Sequence, residues 1–224
     1  MISDIRAAEI CSAIYGNATP TPVSFAHYDN GDDDGVVWAV AKEGDVDVVV
    51  FRGSVSPGDW IRDGMAKPYY DRDLGAVHHG FYLGVRNVWG DMQPFLRGGP
   101  VFLTGHSLGA ARAAIMAGVM VLSGRAPVGR TVFGEPKPGF QQLADLCQAV
   151  PTKSFRNGIG DNHDIVTDLP LAIPAFGLRY VRQGSVIPVD VEPDPNDDSG
   201  IFCFHHCSLY LKGMQARELA LTAK

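Results

Sequence analysis

A serine stands between two glycines in the stretch Gly105-His-Ser-Leu-Gly109, directly after the apolar run Val101–Thr104. This spacing is typical of a nucleophilic serine on a sharp turn from a strand into a helix, because side chains two residues away would clash with the turn. The helix N-terminus would point backbone N–H groups at a developing oxyanion. We therefore predict that Ser107 is a nucleophile, with a glycine-rich turn of no chemical role as the alternative.

A serine nucleophile also predicts a histidine base. The serine hydroxyl is almost wholly protonated at neutral pH, so it needs a base, and the base needs an orienting carboxylate. In α/β-hydrolases the chain order is serine, then the acid, then histidine. His205 and His206 lie just before the last predicted helix and are better placed than His163, which adjoins an aspartate in sequence. Neighbours in sequence rarely reach the geometry of a base and its orienter.

The orienting carboxylate is expected in the loop after a late strand. Asp164 lies in such a loop, and Asp161 and Asp168 are rivals on spacing alone. The cluster of Cys203, His205, His206 and Cys207 does not have the spacing of a common zinc module. A serine mechanism needs no metal, so we predict no metal and no cofactor.

The elements that would position these groups alternate between strands and helices. We predict a hairpin over Val36–Ala41 and Val46–Phe51 and a second over Leu178–Val191. Between and around them we predict strands at Val101–Thr104, Thr131–Pro136 and Lys153–Asn157 and helices at Ser3–Gly16, Phe81–Leu96, Ser107–Leu122, Gly139–Val150 and Cys207–Ala220. Alternation of this kind predicts an α/β fold, a mostly parallel central sheet with helices on both faces, as a single domain over residues 1–224.

Composition narrows the possible partners. The formal net charge of −6 argues against a nucleic-acid partner, since such a protein needs a basic face. Eighteen apolar residues never follow one another, so we predict no transmembrane segment. Asp4 and Glu9 interrupt the opening stretch where a signal peptide would be apolar, and four cysteines fit free thiols. We expect a cytoplasmic protein, with export by another route or a trimmed signal as the alternative.

Five stretches, in order along most of the chain, carry a family resemblance. They are Phe51–Ser54 followed by Trp60 and Asp63, then Val77–Phe81, Gly105–Ala111, Phe133–Gly139 and Asp164–Pro170. Together they resemble the class 3 lipase family, which contains the fungal triacylglycerol lipases and feruloyl esterases. The resemblance implies the α/β-hydrolase fold and a serine carboxylic-ester hydrolase that works through a Ser-His-Asp triad and an acyl-enzyme.

The resemblance also implies roles for particular residues. Ser107 would be the nucleophile and Asp164 the orienting acid, and the backbone N–H groups of Ser54 and Leu108 would form the oxyanion hole. The stretch Val55–Met65 would be a lid that touches a lipid interface transiently. Three residues are expected to contact substrate, namely Trp60, Tyr82 and His106; Tyr82 fits a plain core role equally well.

The histidine is less defined, because the family often places an Asp before it and a Tyr three to five residues later. Here Phe204 precedes His205, while Tyr210 lies five residues after His205 and four after His206. We expect His205 to be the base, with His206 as the alternative. The expected substrate is a small-molecule ester or a lipid. Alternatives are another acyl hydrolase, such as a thioesterase or phospholipase, or a non-catalytic binding protein that retains the nucleophile elbow, the sharp turn around Ser107.

Overall fold

The computed structural model of the chain describes residues 2–32, 35–54, 67–171, 175 and 177–222. The described strands are β1 (Phe25–Asp29), β2 (Trp38–Glu43), β3 (Val46–Phe51), β4 (Pro68–Asp71), β5 (Gly75–His78), β6 (Val101–His106), β7 (Gly129–Phe133), β8 (Thr152–Ile159), β9 (Asn162–His163) and β10 (Val186–Val189). The described helices are α1 (Asp4–Ala13), α2 (His79–Tyr82), α3 (Val85–Met92), α4 (Leu108–Leu122), α5 (Gln141–Leu146) and α6 (Cys207–Thr222).

The central sheet has the strand order β1-β2-β3-β6-β7-β8-β10, and β9 pairs with β8 at one end. Neighbours from β3 to β10 in this order are parallel, whereas β1, β2 and β3 are joined by antiparallel pairing. Parallel neighbours require crossover helices, and α4 supplies one between β6 and β7. The predicted mostly parallel sheet and the first hairpin are thereby confirmed.

Apolar residues cover both faces of the central strands, which is why these strands read as continuous hydrophobic runs. In β3, Val49 and Phe51 belong to a core cluster that contains residues of α3, α4 and α5. Val48 and Val50 point the other way, into a cluster that contains residues of α1 and α6. Helices therefore cover both faces of the sheet, as predicted.

The carboxyl ends of the parallel strands meet at one edge of the sheet, where ligand sites of open α/β sheets form. Phe51 at the end of β3 pairs with Gly105 in β6, and His106 pairs with Phe133 at the end of β7. The segments that leave β3, β6, β7 and β8 consequently start close to one another. Ser107 is in one of these segments, and Asp164 follows the short β9 strand that turns back on β8.

The single helix predicted over Phe81–Leu96 is wrong. The first helical turn ends at Tyr82, Leu83 adopts ψ 128°, and α3 starts after Gly84 at φ +78°. The final turn, Gln93–Phe95, is a 3₁₀ helix that contains Pro94. Proline lacks the N–H that an α-helical turn needs, so the end of the predicted helix could not stay α-helical.

The hairpin predicted over Leu178–Val191 is also wrong, because its two arms pair with other partners. The N–H of Val181 donates to the carbonyl of Gly139 at 2.7 Å, while β10 lies parallel to β8. Period-two apolar patterns indicate a strand without indicating its partner. Further strands were not predicted, namely the edge strand β1, the separate β4–β5 hairpin and the short strand β9.

Other local predictions agree with the structure. The helix predicted over Ser3–Gly16 is α1, and the Ser3 hydroxyl caps it by accepting from the N–H of Arg6. The four cysteines, Cys11, Cys147, Cys203 and Cys207, are free thiols. No helix within the described ranges combines the length and apolarity that crossing a bilayer requires.

Candidate active site

Ser107 occupies the turn between β6 and α4 in a strained backbone conformation, φ +59° and ψ −131°. Its N–H donates to the carbonyl of Phe133 at 3.0 Å, which fixes the turn against β7. A methyl group added at Gly105 would lie 2.5 Å from the carbonyl oxygen of Gly109, and one added at Gly109 would overlap the carbonyl of Phe51. Both glycines are therefore required by close packing of strand, turn and helix.

The Ser107 hydroxyl is buried, and it has no hydrogen-bond partner within the described part of the chain. A buried hydroxyl without a partner is costly, so native proteins retain few of them. Such a group on a strained turn is a marker of function, since strain persists where the surrounding structure enforces it.

His205 lies at the end of the 3₁₀ turn Gly200–His205, just before α6. Its Nδ1 is 2.6 Å from Oδ2 of Asp164, and both side chains are buried. The carboxylate can only accept, so Nδ1 carries the hydrogen and the neutral ring keeps its lone pair on Nε2. That Nε2 atom is buried and has no hydrogen-bond partner among the described residues.

Asp164 is held ionised by its surroundings. Burial alone would raise its pKa, but the electrostatic interaction with His205 and the hydrogen bonds from His205 and Tyr210 outweigh burial and lower the pKa below its ordinary value. The Tyr210 hydroxyl donates to Oδ2 at 2.5 Å, and the Val166 N–H donates to Oδ1 at 3.0 Å. A carboxylate with these donors stays charged and can orient the His205 ring.

His106, the residue before Ser107, places the serine turn beside His205. The His205 ring centroid lies 4.7 Å from that of His106. Ser107 Oγ and His205 Nε2 are not hydrogen-bonded to each other in this conformation, since neither atom has a partner among the described residues. Catalytic hydrogen bonds are often long in free enzymes and tighten when substrate binds.

His106 is bonded within the protein on both ring nitrogens. Nε2 is 2.7 Å from the carbonyl oxygen of His205, so it must donate, and Nδ1 then accepts from the Tyr15 hydroxyl at 3.1 Å. Burial lowers the pKa of His106 to about 3, which keeps the ring neutral. Both ring nitrogens are thus engaged within the protein, and a substrate contact by His106 stays a prediction. The ring joins the serine turn to the His205 backbone.

Tyr15 extends this connection to the end of β3. Its hydroxyl accepts from the N–H of Gly53 at 2.9 Å while it donates to His106. Gly53 precedes Ser54, the residue predicted to supply one oxyanion N–H. Leu108, predicted to supply the other, is the first residue of α4, where N–H groups have no intrahelical partner. The structure thus places both predicted donor segments at the serine turn, and their role as an oxyanion hole stays a prediction.

His206, the alternative base, points into a different part of the structure. Its Nε2 lies 2.8 Å from Oδ2 of Asp197 and 3.1 Å from the Ser199 hydroxyl. Both partners lie in the segment just before the 3₁₀ turn Gly200–His205. The geometry therefore favours His205 over His206.

Two other predicted acids and one predicted substrate contact can be placed as well. Asp168 pairs with His163 at 2.7 Å near the surface, whereas Asp161 is exposed. The Tyr82 hydroxyl donates to Asp71 at 2.8 Å, and its ring stacks on Tyr69. A substrate contact by the Tyr82 ring stays a prediction.

Trp60 and the predicted lid, Val55–Met65, lie outside the described residues. Across the described ranges, no group of three or more His, Cys, Asp or Glu side chains could hold a metal ion.

Three residues of this site were missed as participants by sequence reasoning. They are Tyr15, Asn157 and Tyr210, each of which bonds to a segment that carries a predicted site residue. The one available signal was the spacing of Tyr210 after the histidines. Tyr15 and Asn157 carry no local motif, because their contacts arise only when distant segments meet.

The sheet order, the strand-turn-helix at Ser107 and the helices on both faces constitute an α/β-hydrolase fold. A solved lipase from Rhizopus microsporus var. chinensis shares this fold with a TM-score of 0.64 and 18% identity, over 93% of this chain and 85% of that one. Identity this low supports the fold alone.

Residues 48–173 match the family model described as Lipase (class 3), and the chain belongs to this family. Lipase A of Sodiomyces alcalophilus is 34% identical over 117 residues, which cover 49% of this chain and 27% of that protein. A lipase of Caenorhabditis elegans is 31% identical over 133 residues, 54% of this chain and 37% of that protein. The aligned segment thus spans little more than a third, at most, of either curated relative.

Proposed function

We propose that this protein hydrolyses carboxylic esters, as a lipase or esterase, through Ser107, His205 and Asp164. The observation that carries the proposal is the state of His205. Its Nδ1 is bonded to a buried carboxylate, while Nε2 is free of any partner among the described residues, beside the turn that presents Ser107. Membership of the class 3 lipase family supports the same activity.

The proposed reaction has two halves. His205 Nε2 takes the proton of Ser107 Oγ as this oxygen attacks the ester carbonyl carbon, and the oxyanion accepts from the N–H groups of Ser54 and Leu108. The histidine then gives its proton to the departing alkoxide, which leaves an acyl-serine. Water, deprotonated by His205, attacks this ester; the acid departs and the proton returns to Ser107. Asp164 stays ionised throughout and stabilises the imidazolium.

The substrate proposed is a lipid or small ester. We also propose that the stretch Val55–Met65 makes a transient contact with a lipid interface; its support is the family resemblance of that stretch. A cytoplasmic location is supported by the four free thiols, since reducing compartments keep cysteines unpaired.

The decisive experiment is labelling with a fluorophosphonate, with mass spectrometry to locate the adduct, beside hydrolysis of p-nitrophenyl esters from acetate to palmitate. We expect the adduct on Ser107. Ser107→Ala should lower kcat by about 10⁴- to 10⁶-fold, as removal of a triad serine does elsewhere.

Ser154→Ala is the matched control, because Ser154 is also buried and its hydroxyl has no partner in the described ranges, but it lies within β8. Its kcat should stay within about twofold of wild type. A protein that keeps its activity as S107A would exclude this mechanism. Absence of any adduct together with absence of esterase activity would favour a binding protein. Preferential turnover of thioesters or phospholipids would redirect the proposal to those acyl substrates.

A further inference from the structure

Asn157 is fully buried in β8, and its side-chain amide joins three segments of the chain. The amide nitrogen donates to the carbonyl of Val191 at 2.9 Å and to that of Phe204 at 3.3 Å. The amide oxygen accepts from the N–H of Val191 at 3.0 Å. One side chain therefore uses both its donor and its acceptor to tie the segment after β10, and the residue before His205, to the central sheet.

The contact with Phe204 matters for the base. The His205 carbonyl accepts from His106 Nε2, while the Phe204 carbonyl accepts from Asn157. The peptide groups on both sides of the His205 Cα are consequently fixed by buried donors from two different strands. A histidine held at both peptide groups has little freedom to move its ring away from Ser107.

The backbone of Asn157 serves the acid in the same way. Its carbonyl accepts from the N–H of Asp164 at 2.9 Å, and its N–H donates to the Tyr210 hydroxyl at 3.1 Å. The Tyr210 hydroxyl in turn donates to the Asp164 carboxylate. Asn157 thus contacts the backbone of the acid, the hydroxyl that supports the acid and the peptide that carries the base.

We propose that Asn157 is a positioning residue that sets the distance and angle between His205 and Ser107 through its amide bonds. This inference rests on the proposed ester hydrolysis. It assigns to Asn157 no contact with substrate, and it predicts that loss of the amide lowers kcat while KM is little changed.

Three substitutions of Asn157 test the proposal, to alanine, to serine and to aspartate. Asn157→Ala removes all amide bonds, and we expect kcat to fall about 100-fold with KM within about twofold, because misplacement of a catalytic group by about 1 Å can cost this much. Asn157→Ser keeps one hydroxyl donor and should recover part of the loss. Ser154→Ala, on the same strand and equally buried, is the matched control and should leave kcat unchanged.

Asn157→Asp adds a readout that a merely structural role would not move. The new carboxyl faces two carbonyl oxygens, so its ionised form is repelled and only its protonated form can donate. The titratable side chains of this cluster are Asp164, His205, His106 and Tyr210. The ratio of wild-type to N157D kcat should therefore be smaller at about pH 5 than at about pH 8, since burial raises the pKa of a carboxyl.

A measurement without substrate completes the test. The proton NMR signal of His205 Nδ1–H, assigned by its loss in His205→Ala, should broaden or shift in N157A and stay unchanged in S154A. Wild-type kcat per labelled Ser107 in both N157A and N157D, with an unchanged signal, would overturn the proposal. The S107A variant tests the proposed ester hydrolysis separately. An active S107A variant refutes the triad. An inactive S107A variant together with a fully active N157A variant refutes only the role of Asn157.

Discussion

Two neighbouring histidines each pair with an aspartate, and the two pairs have opposite surroundings. The His205 and Asp164 side chains are 3% and 0% exposed, whereas those of His206 and Asp197 are 47% and 15% exposed. The atoms of each pair are at nearly the same separation, 2.6 and 2.8 Å. Contact distance therefore does not distinguish them.

The difference lies in what surrounds each pair. Water screens the surface pair, so the contact between His206 and Asp197 contributes little free energy to folding. The Ser199 hydroxyl also competes for the ring nitrogen of His206 that Asp197 contacts. Around the buried pair, hydrogen bonds from Tyr210 and Asn157 fix the geometry, and no residue that the structure describes competes for His205 Nε2. A histidine can act as a base when one of its ring nitrogens is oriented by a partner and the other has no competing hydrogen bond. The buried pair meets this condition, and the surface pair does not.

The largest expected effect comes from removing each histidine in turn. His205→Ala should lower kcat by about 10⁴- to 10⁶-fold, as loss of a triad histidine does. His206→Ala should leave kcat within about twofold, because exposed pairs contribute little. Steady-state hydrolysis of p-nitrophenyl butyrate measures both. An inactive H206A variant together with an active H205A variant would identify His206, and not His205, as the base.

A smaller effect is expected from crowding the buried pair. A methyl group added at Gly134 would lie 2.9 Å from both Asp164 Oδ2 and His205 Cε1. Gly134→Ala should therefore displace the pair and lower kcat about 100-fold, by the sensitivity of catalysis to small shifts.

Gly124→Ala separates crowding from backbone strain. Gly124 also has a positive φ, +75° against +58° for Gly134, but a methyl group added there would meet no described atom within 4 Å. Both variants should lose about 1 kcal/mol of unfolding free energy from the left-handed backbone. Only G134A should lose activity per folded molecule, measured by kcat and thermal unfolding together. Equal activity of the two variants would contradict the crowding.

The smallest expected effect concerns the hydroxyl that supports each aspartate. Tyr210→Phe removes a buried donor to Asp164 and should lower the free energy of unfolding by about 2 kcal/mol, the worth of a hydrogen bond to a charged group. Ser199→Ala removes the corresponding donor to Asp197 at the surface and should change stability by less than about 0.5 kcal/mol.

The pH dependence of the Y210F effect carries a sign. The folded-state pKa of Asp164 is lowered from its ordinary value of 3.8, so its ionised contacts stabilise the fold above that pH and are lost as pH falls through the folded pKa. In Y210F the hydrogen bond from Tyr210 is absent, so the folded-state pKa of Asp164 is lowered less than in the wild type. The difference in unfolding free energy between wild type and Y210F should thus be largest above pH 3.8 and shrink below it, as urea unfolding at several pH values will show. A difference that grows on acidification would contradict this.

Much of the fold was predictable because local patterns determined it. The elbow around Ser107 was identified from two glycines and an apolar strand, since steric demands there are local. The arms of the Leu178–Val191 segment were assigned wrongly because strand pairing depends on which edges are free in three dimensions. The break at Leu83–Gly84 was missed because apolar periodicity continued across it.

The site was predictable to the extent that its residues carry motifs. Sequence order favoured the acid and histidine positions, and the structure pairs Asp164 with His205. The hydrogen bonds of His106 were not predictable, because no sequence pattern reveals that Tyr15 and a backbone carbonyl occupy both ring nitrogens. Asn157 was invisible for a related reason: its partners lie 34 and 47 residues away in the chain.

The packing of α1 against α6 has a practical consequence for anyone reshaping this protein. Tyr15, just beyond α1, bonds to His106, and Tyr210, within α6, bonds to Asp164; both tyrosines fall outside the segment that matches the family model. Shortening the chain at either extremity for easier expression should therefore impair turnover before it unravels the sheet.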